Sequence, residues 1–404
     1  MPESGTLNLL YRDAALADGR SPTLERGVSV LVEDGHVAWI RPTDSEEDPG
    51  EAEVIDAGGA TIVPGMIDCH SHLTLPGGSH WIDRGSDTPE QLVRHAEHNA
   101  QLQTNAGVRW ARDVGAPVGI DPVDGQERAL SLGVRDRWRG QVEYPYVRAA
   151  GTWVTRSGTL PAGLTAEAED ADELLRLAMR QLDDGADLIK LYLDGPDPET
   201  APWTAHEVRR VVDAAHARGA KVTAHAGRLD GSRVCAEGGV DCIEHGFELD
   251  DDCARLMAER GIALVSTLTC FKSWTTFART TEIERFASAE GRKAVAARWD
   301  AARESIRVAQ AAGVLLGAGT DFGGGSGRAN QLAWEVEALT EAGLEPWEAL
   351  AAVTWKAGEI LGEPGAGEIR EGGHPDFFLV HGDPLSDPAA LWRVWRVAWI
   401  DASA

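Results

Sequence analysis

The stretch Thr61-Ile62-Val63-Pro64-Gly65-Met66-Ile67-Asp68-Cys69-His70-Ser71-His72 decides how the rest of the chain is read. It is an apolar, β-rich run broken once by Pro-Gly and ending in polar side chains, the pattern of a buried strand with reactive groups at its C-terminal end. His70 and His72 are two apart, so in extended backbone both side chains leave the same face.

Seven further runs follow the same plan, short and apolar with polar or glycine ends: 107–117, 144–151, 186–195, 220–227, 240–246, 262–269 and 314–323. Helical periodicity separates most of them, as in 171–185, 205–219, 250–261 and 292–313. Eight strands with crossover helices between about 62 and 366 predict an α/β fold, a (β/α)8 TIM-like barrel. An open doubly wound sheet is the alternative. The first strand, however, lacks a following G-x-G-x-x-G, and the glycine cluster Gly323–Gly327 comes after the last strand, where it reads as a flexible loop. Residues 1–61 and 367–404 carry short strand candidates between polar turns. Neither end alone can bury a face, so the two are expected to form one small composite β-sandwich domain, with 62–366 as the barrel.

Composition narrows the function classes. The 404 residues carry 38 basic against 65 acidic side chains, a formal charge of -27 whose field repels phosphate backbones and anionic bilayers. Nucleic-acid and membrane partners are therefore not expected, while a small-molecule substrate and a homo-oligomer are compatible. The first residues show no basic segment followed by a long apolar run, and no window reaches membrane-spanning length, which reads as a soluble cytoplasmic protein. Five cysteines without a C-x-x-C pair argue against a disulfide scaffold or a cysteine-only zinc site.

In a barrel the C-terminal strand ends converge on one mouth, which brings His70, His72, Lys190, His225, His245 and Asp321 to one level. Imidazole nitrogens with a carboxylate suit zinc and its first-row neighbours better than calcium or magnesium. Lys190 interrupts an apolar strand, where an unpaired ammonium is costly to bury. Either its neutral amine has reacted with carbon dioxide to give an anionic carbamate, or its stem crosses the wall and the charge snorkels to a carboxylate.

Together with Ala186–Lys190, Val222–Ala226, Ile243–Gly246 and Gly317–Asp321, the opening stretch resembles the metal-dependent amidohydrolase superfamily, in the branch of Xaa-Pro dipeptidases, zinc carboxypeptidases and ochratoxin amidases. The resemblance implies two divalent transition-metal ions, most simply Zn2+, with His70, His72 and Asp321 on one and His225 and His245 on the other. It further implies N6-carboxylysine at Lys190 bridging them with a hydroxide. The implied reaction is hydrolysis of a C–N amide bond, in an N-acyl amino acid or dipeptide, by attack of that bridging hydroxide. Asp321 is either the group that takes and returns the proton or a ligand only. Cyclic amides, carbamates, lactones and organophosphorus esters are alternative substrates for the same chemistry, and a non-catalytic metal-stabilised binding protein is the reading outside enzymes.

The loops departing from the peptidase pattern, 152–159 and Asp194–Pro198, leave the substrate open. Arg156, Arg328, Tyr192 and Trp153 are candidate substrate contacts, with salt bridges or packing as the competing role for each. A leaving-group carboxylate would suit Arg156 or Arg328.

Overall fold

The computed structural model describes residues 7–46, 48–161 and 163–402. The outermost residues of the two expected end segments, 1–6 and 403–404, lie outside it. The ends build one seven-stranded mixed sheet from β1 (Leu9–Leu16), β2 (Glu25–Glu33), β3 (His36–Pro42), β4 (Glu53–Asp56), β5 (Ala60–Pro64), β18 (Phe377–His381) and β19 (Val394–Val397). The first half of β1 pairs with β4 and its second half with β5, with a register shift around Asp13, whose φ is +62°. Apolar side chains from both chain ends meet in one cluster, with the Tyr11 and Phe377 rings edge to face at 5.1 Å. The two layers implied by the sequence are thus parts of one continuous sheet. The last expected strand is shorter than its apolar run, because Ala398–Asp401 turns helical.

Gly65 is the hand-over from this sheet to the barrel. Its N–H donates to Asp376 O at 2.8 Å, and a Cβ there would lie 2.6 Å from that of Arg109, so only glycine lets the two layers approach. The barrel follows as β6 (Met66–Ser71), β7 (Val108–Asp113), β10 (Tyr146–Ala149), β13 (Leu188–Tyr192), β14 (Lys221–Ala226), β15 (Cys242–His245), β16 (Ala263–Ser266) and β17 (Leu316–Ala318). Ladders run in parallel through β10-β7-β6 and through β13-β14-β15-β16-β17. Asp187 N donates to Ala149 O (2.8 Å) across the first gap, and Asp321 N to His70 O (2.8 Å) across the second. The eight strands therefore close into a distorted barrel.

Two insertions were not expected. A hairpin of β8 (Val118–Ile120) and β9 (Glu127–Ala129) follows the second barrel strand, and the parallel pair β11 (Val154–Arg156) and β12 (Ala166–Ala168) follows the third. Gly151 and Ser157-Gly158 make the second region look like loop, but β-branched Val154 and Thr155 extend next to β13, and Thr155 bonds Thr165 through their hydroxyls at 2.9 Å. Helices over Ala171–Asp183, Ala205–His216 and Asp251–Arg260 cover the outside, each begun by a side-chain cap from Asp170, Thr204 or Asp250. Their buried faces, such as Val208, Val211, Val212 and Ala215, join the inter-layer core.

Candidate metal centre

Asp68 fixes the end of β6. It accepts from His70 N (3.2 Å), Thr320 N (3.0 Å) and Thr320 Oγ1 (2.7 Å), tying the first strand to the last. Complete burial pushes its carboxyl up to about 7 against those bonds. His70 donates from Nδ1 to Glu244 Oε2 at 2.7 Å, which leaves Nε2 facing the mouth, 3.3 Å from Asp321 Oδ1. His72 donates from Nδ1 to the Gly115 carbonyl (2.8 Å), and its Nε2 stands 3.1 Å from the same Asp321 oxygen. His245 Nδ1 lies 2.7 Å from Thr267 Oγ1.

One donor atom each from His70, His245 and Asp321 falls within 4.8 Å of the others, and all three residues are buried. His245 and Asp321 have φ of +76° and +50°, a region that costs non-glycine residues energy and that surrounding contacts must impose. The strain belongs to the backbone that aims the donors. Burial and the neighbouring His225 and His70 push the His245 imidazole well below its ordinary range, so it is neutral and able to ligate. Burial opposes ionisation of Asp321, yet His70, His72 and His245 hold it well below the usual carboxylate range.

His225 is placed differently. Its ring is 4.4 Å from that of His245 and stacked on Tyr192 at 3.8 Å, but Nε2 donates to Asp194 Oδ2 at 3.1 Å. Lys190 is 1% exposed and its Nζ has no hydrogen-bond partner among the described residues. Burial lowers its ammonium to about 8, with Glu244 opposing that shift and Arg112 adding to it. The snorkelling geometry expected of an ordinary wall lysine is absent among the described residues.

A cavity of about 400 Å³ opens onto the site. Tyr192 lines it with His225, His245 and Asp321; Trp153, Arg156 and Arg328 do not. Trp153 is buried against the His72 ring at 5.0 Å, Arg156 lies over Trp203, and Arg328 donates to Pro76 O at 2.6 Å. Asp194, Gly195, Pro196 and Pro198 of the loop singled out in the sequence line the cavity, whereas sequence reasoning missed Arg228, Cys270 and Arg298 on its wall. It also missed Glu244, the buried partner of both His70 and Arg112 (2.6 Å). Adjacency to His245 was the available signal for Glu244; for Arg298 there was none.

This barrel with a buried His/His/Asp triad at an open cavity defines a metal-dependent hydrolase, which leaves no support for a purely binding role. The chain belongs to the amidohydrolase family, whose profile matches residues 61–398. It is 31% identical to an uncharacterised protein of Mycobacterium tuberculosis over 96% of this chain and 94% of that one. With ochratoxinase of Aspergillus niger it shares 28% identity over 83% of this chain and 74% of the relative. A crystal structure of an amidohydrolase, 27% identical, superposes with a TM-score of 0.78 over 97% of this chain and 95% of that one. Solved structures of a Xaa-Pro dipeptidase and phenylurea hydrolase B share the fold. Among the described residues no helix is long and apolar enough to cross a membrane.

Proposed function

We propose that this protein hydrolyses a C–N amide bond, in an N-acyl amino acid or dipeptide, at a centre for two divalent ions, zinc in the simplest case. The observation that carries the reading is Lys190, whose buried Nζ lacks a partner among the described residues while lying in the electrostatic reach of His225, His245 and Asp321. An amine lowered toward neutrality can attack carbon dioxide, forming an N–C bond and losing a proton to solvent. The resulting carboxylate supplies the acidic ligand that the histidines need. On this reading His70, His72 and Asp321 would hold one ion and His225 and His245 the other, with carboxylated Lys190 as a further anionic ligand.

When bound, the ions supply a water of lowered pKa and polarise the target carbonyl. The protein's own groups do the rest. Glu244 and the Gly115 carbonyl keep the Nε2 atoms of His70 and His72 turned to the mouth. Asp321 accepts the proton of the attacking water through the carboxylate that also lines the cavity, and returns it to the departing nitrogen. Tyr192, stacked on His225, forms part of the cavity wall beside the site. The domain limits 1–61, 62–366 and 367–404, a homo-oligomeric state and a cytoplasmic location belong to the same reading.

The test is a panel of N-acyl amino acids, Xaa-Pro and other dipeptides, cyclic amides, carbamates, lactones and phosphotriesters, assayed with metal-loaded wild type and an Asp321→Asn control. A linear amide should give the highest kcat/KM, lost in the control. A lactone or phosphotriester preferred by about 100-fold, worth about 2.7 kcal/mol, would reject the amide reading.

A further inference from the structure

Arg298 sits on the long helix Ala289–Ala312, between the seventh and eighth barrel strands, and lines the same cavity as His225, His245 and Asp321. It forms no ion pair or hydrogen bond with any described residue, in a chain whose acidic side chains outnumber basic ones by 65 to 38. Three other arginines of the barrel do pair with carboxylates: Arg112 with Glu244, Arg135 with Asp187, Arg137 with Asp121. What holds Arg298 is aromatic. Its guanidinium carbon lies 5.3 Å from the ring centre of Trp274, 5.7 Å from Phe271 and 5.9 Å from Phe247. Rings attract the cation and position it while leaving its N–H groups unspent.

None of the cavity's carboxylates pairs with Arg298, although Asp194 keeps its buried Oδ1 without a hydrogen-bond partner among the described residues. Asp194 accepts from His225 and from Gly227 N, and Asp321 faces His70, His72 and the Cys270 thiol. Glu248 and Asp194 act on Arg298 through space without an ion pair or hydrogen bond to it, so its N–H groups stay open to an anion entering the cavity. Arg228, the other cavity arginine, gives its Nη1 to the Pro198 carbonyl and adds positive charge to the same chamber. A net charge of -27 would otherwise repel anionic substrates, so a local cation at the mouth has a physical task.

We propose that Arg298 is a specificity-determining residue that binds a carboxylate on the substrate, selecting acidic amides over neutral ones. The proposal rests on the amide-hydrolase reading above and moves the carboxylate contact from Arg156 or Arg328 to a residue on the cavity wall. A planar carboxylate can take two N–H groups of the guanidinium fork, with the apolar part of the molecule against Phe247 and Trp274.

The experiment is calorimetric titration of the metal-loaded protein with 3-phenylpropanoate and with neutral 3-phenylpropan-1-ol, neither of which can be hydrolysed. Wild type should prefer the acid, and Arg298→Met should weaken acid binding by about 10- to 100-fold while alcohol binding stays within about 3-fold. Arg298→Lys should recover part of the difference, since charge without the fork satisfies only part of the contact. The proposal is overturned if wild type does not bind the acid, if Arg298→Met binds it unchanged, or if acid and alcohol weaken together. Failure of every amide in the substrate panel, with acid binding still dependent on Arg298, rejects the amide reading and leaves the anion site standing.

Discussion

Glu244 Oε2 accepts the Nδ1 proton of His70 at 2.7 Å, while its Oε1 pairs with Arg112 at 2.6 Å and also takes the Thr223 hydroxyl. One buried carboxylate thus orients a ligand and neutralises a guanidinium inside the barrel. Although burial opposes its ionisation, Arg112, Lys190 and His70 keep it well below the ordinary carboxylate range.

Glu244→Gln should therefore act on two readouts. Loss of His70 orientation lowers metal affinity or kcat/KM by about 10- to 100-fold. Arg112 left buried without its partner costs about 3–5 kcal/mol in urea unfolding. A double substitution with Arg112→Met should recover stability without recovering metal, whereas recovery of both would show that His70 needs no orienting carboxylate.

Lys190→Met should stabilise the metal-free protein and impair the loaded one. The wild-type ammonium falls from 10.5 to about 8 on folding, so between those values the unfolded chain binds the extra proton and stability rises with pH. The penalty is fully present below pH 8 and gone above 10.5, up to about 3 kcal/mol. Urea titrations of chelated protein at pH 7 and 10 should show this rise in wild type and a flat difference in Lys190→Met. After metal-replete purification, elemental analysis should find close to two ions in wild type and fewer in Lys190→Met; equal contents would refute the ligand role.

Asp321→Asn keeps the shape and removes the base. A fall in kcat of about 10²- to 10⁴-fold is expected, with a smaller change in KM. Chelation should abolish activity in wild type, and zinc, cobalt or manganese should restore it there but not in the variant. An Asn variant with near wild-type kcat would leave Asp321 as a ligand only.

Gly319 closes the barrel. A Cβ at this position would land on the His70 backbone and side chain, so Gly319→Ala should separate the last strand from the first and cost about 3 kcal/mol or more. The measurement is the urea midpoint together with metal content, and both should fall. Unchanged stability would mean that closure depends instead on Asp68 and its bonds to Thr320.

The barrel strands were legible because each is a short apolar run whose end is marked locally by Gly, His or Asp or, after Ala263–Ser266, by Ser and Thr hydroxyls, and strand identity depends on neighbours in sequence. The capped helices were readable for the same reason. The insertion β11–β12 was not, since flanking glycines imitate loop and the pairing of Val154 with Leu191 is made across 37 positions of chain. The nearest-neighbour signal also failed at Ala398–Asp401, where an apolar run fits strand or helix equally well.

By itself the sequence determined the family, the strand ends and the residue types that could meet there: the His70–His72 spacing follows from the period of a strand, with no long-range term. Tertiary structure decided what each group faces. His70 meets Glu244 across 174 residues and His72 meets Asp321 across 249. His225 gives its Nε2 to Asp194 while its ring stays 4.4 Å from that of His245, and Arg298 reaches the cavity while Arg156 and Arg328 do not. These orientations depend on strand tilt, barrel closure and the packing of one helix over the mouth, which are collective properties of the folded chain that no local pattern of residues encodes.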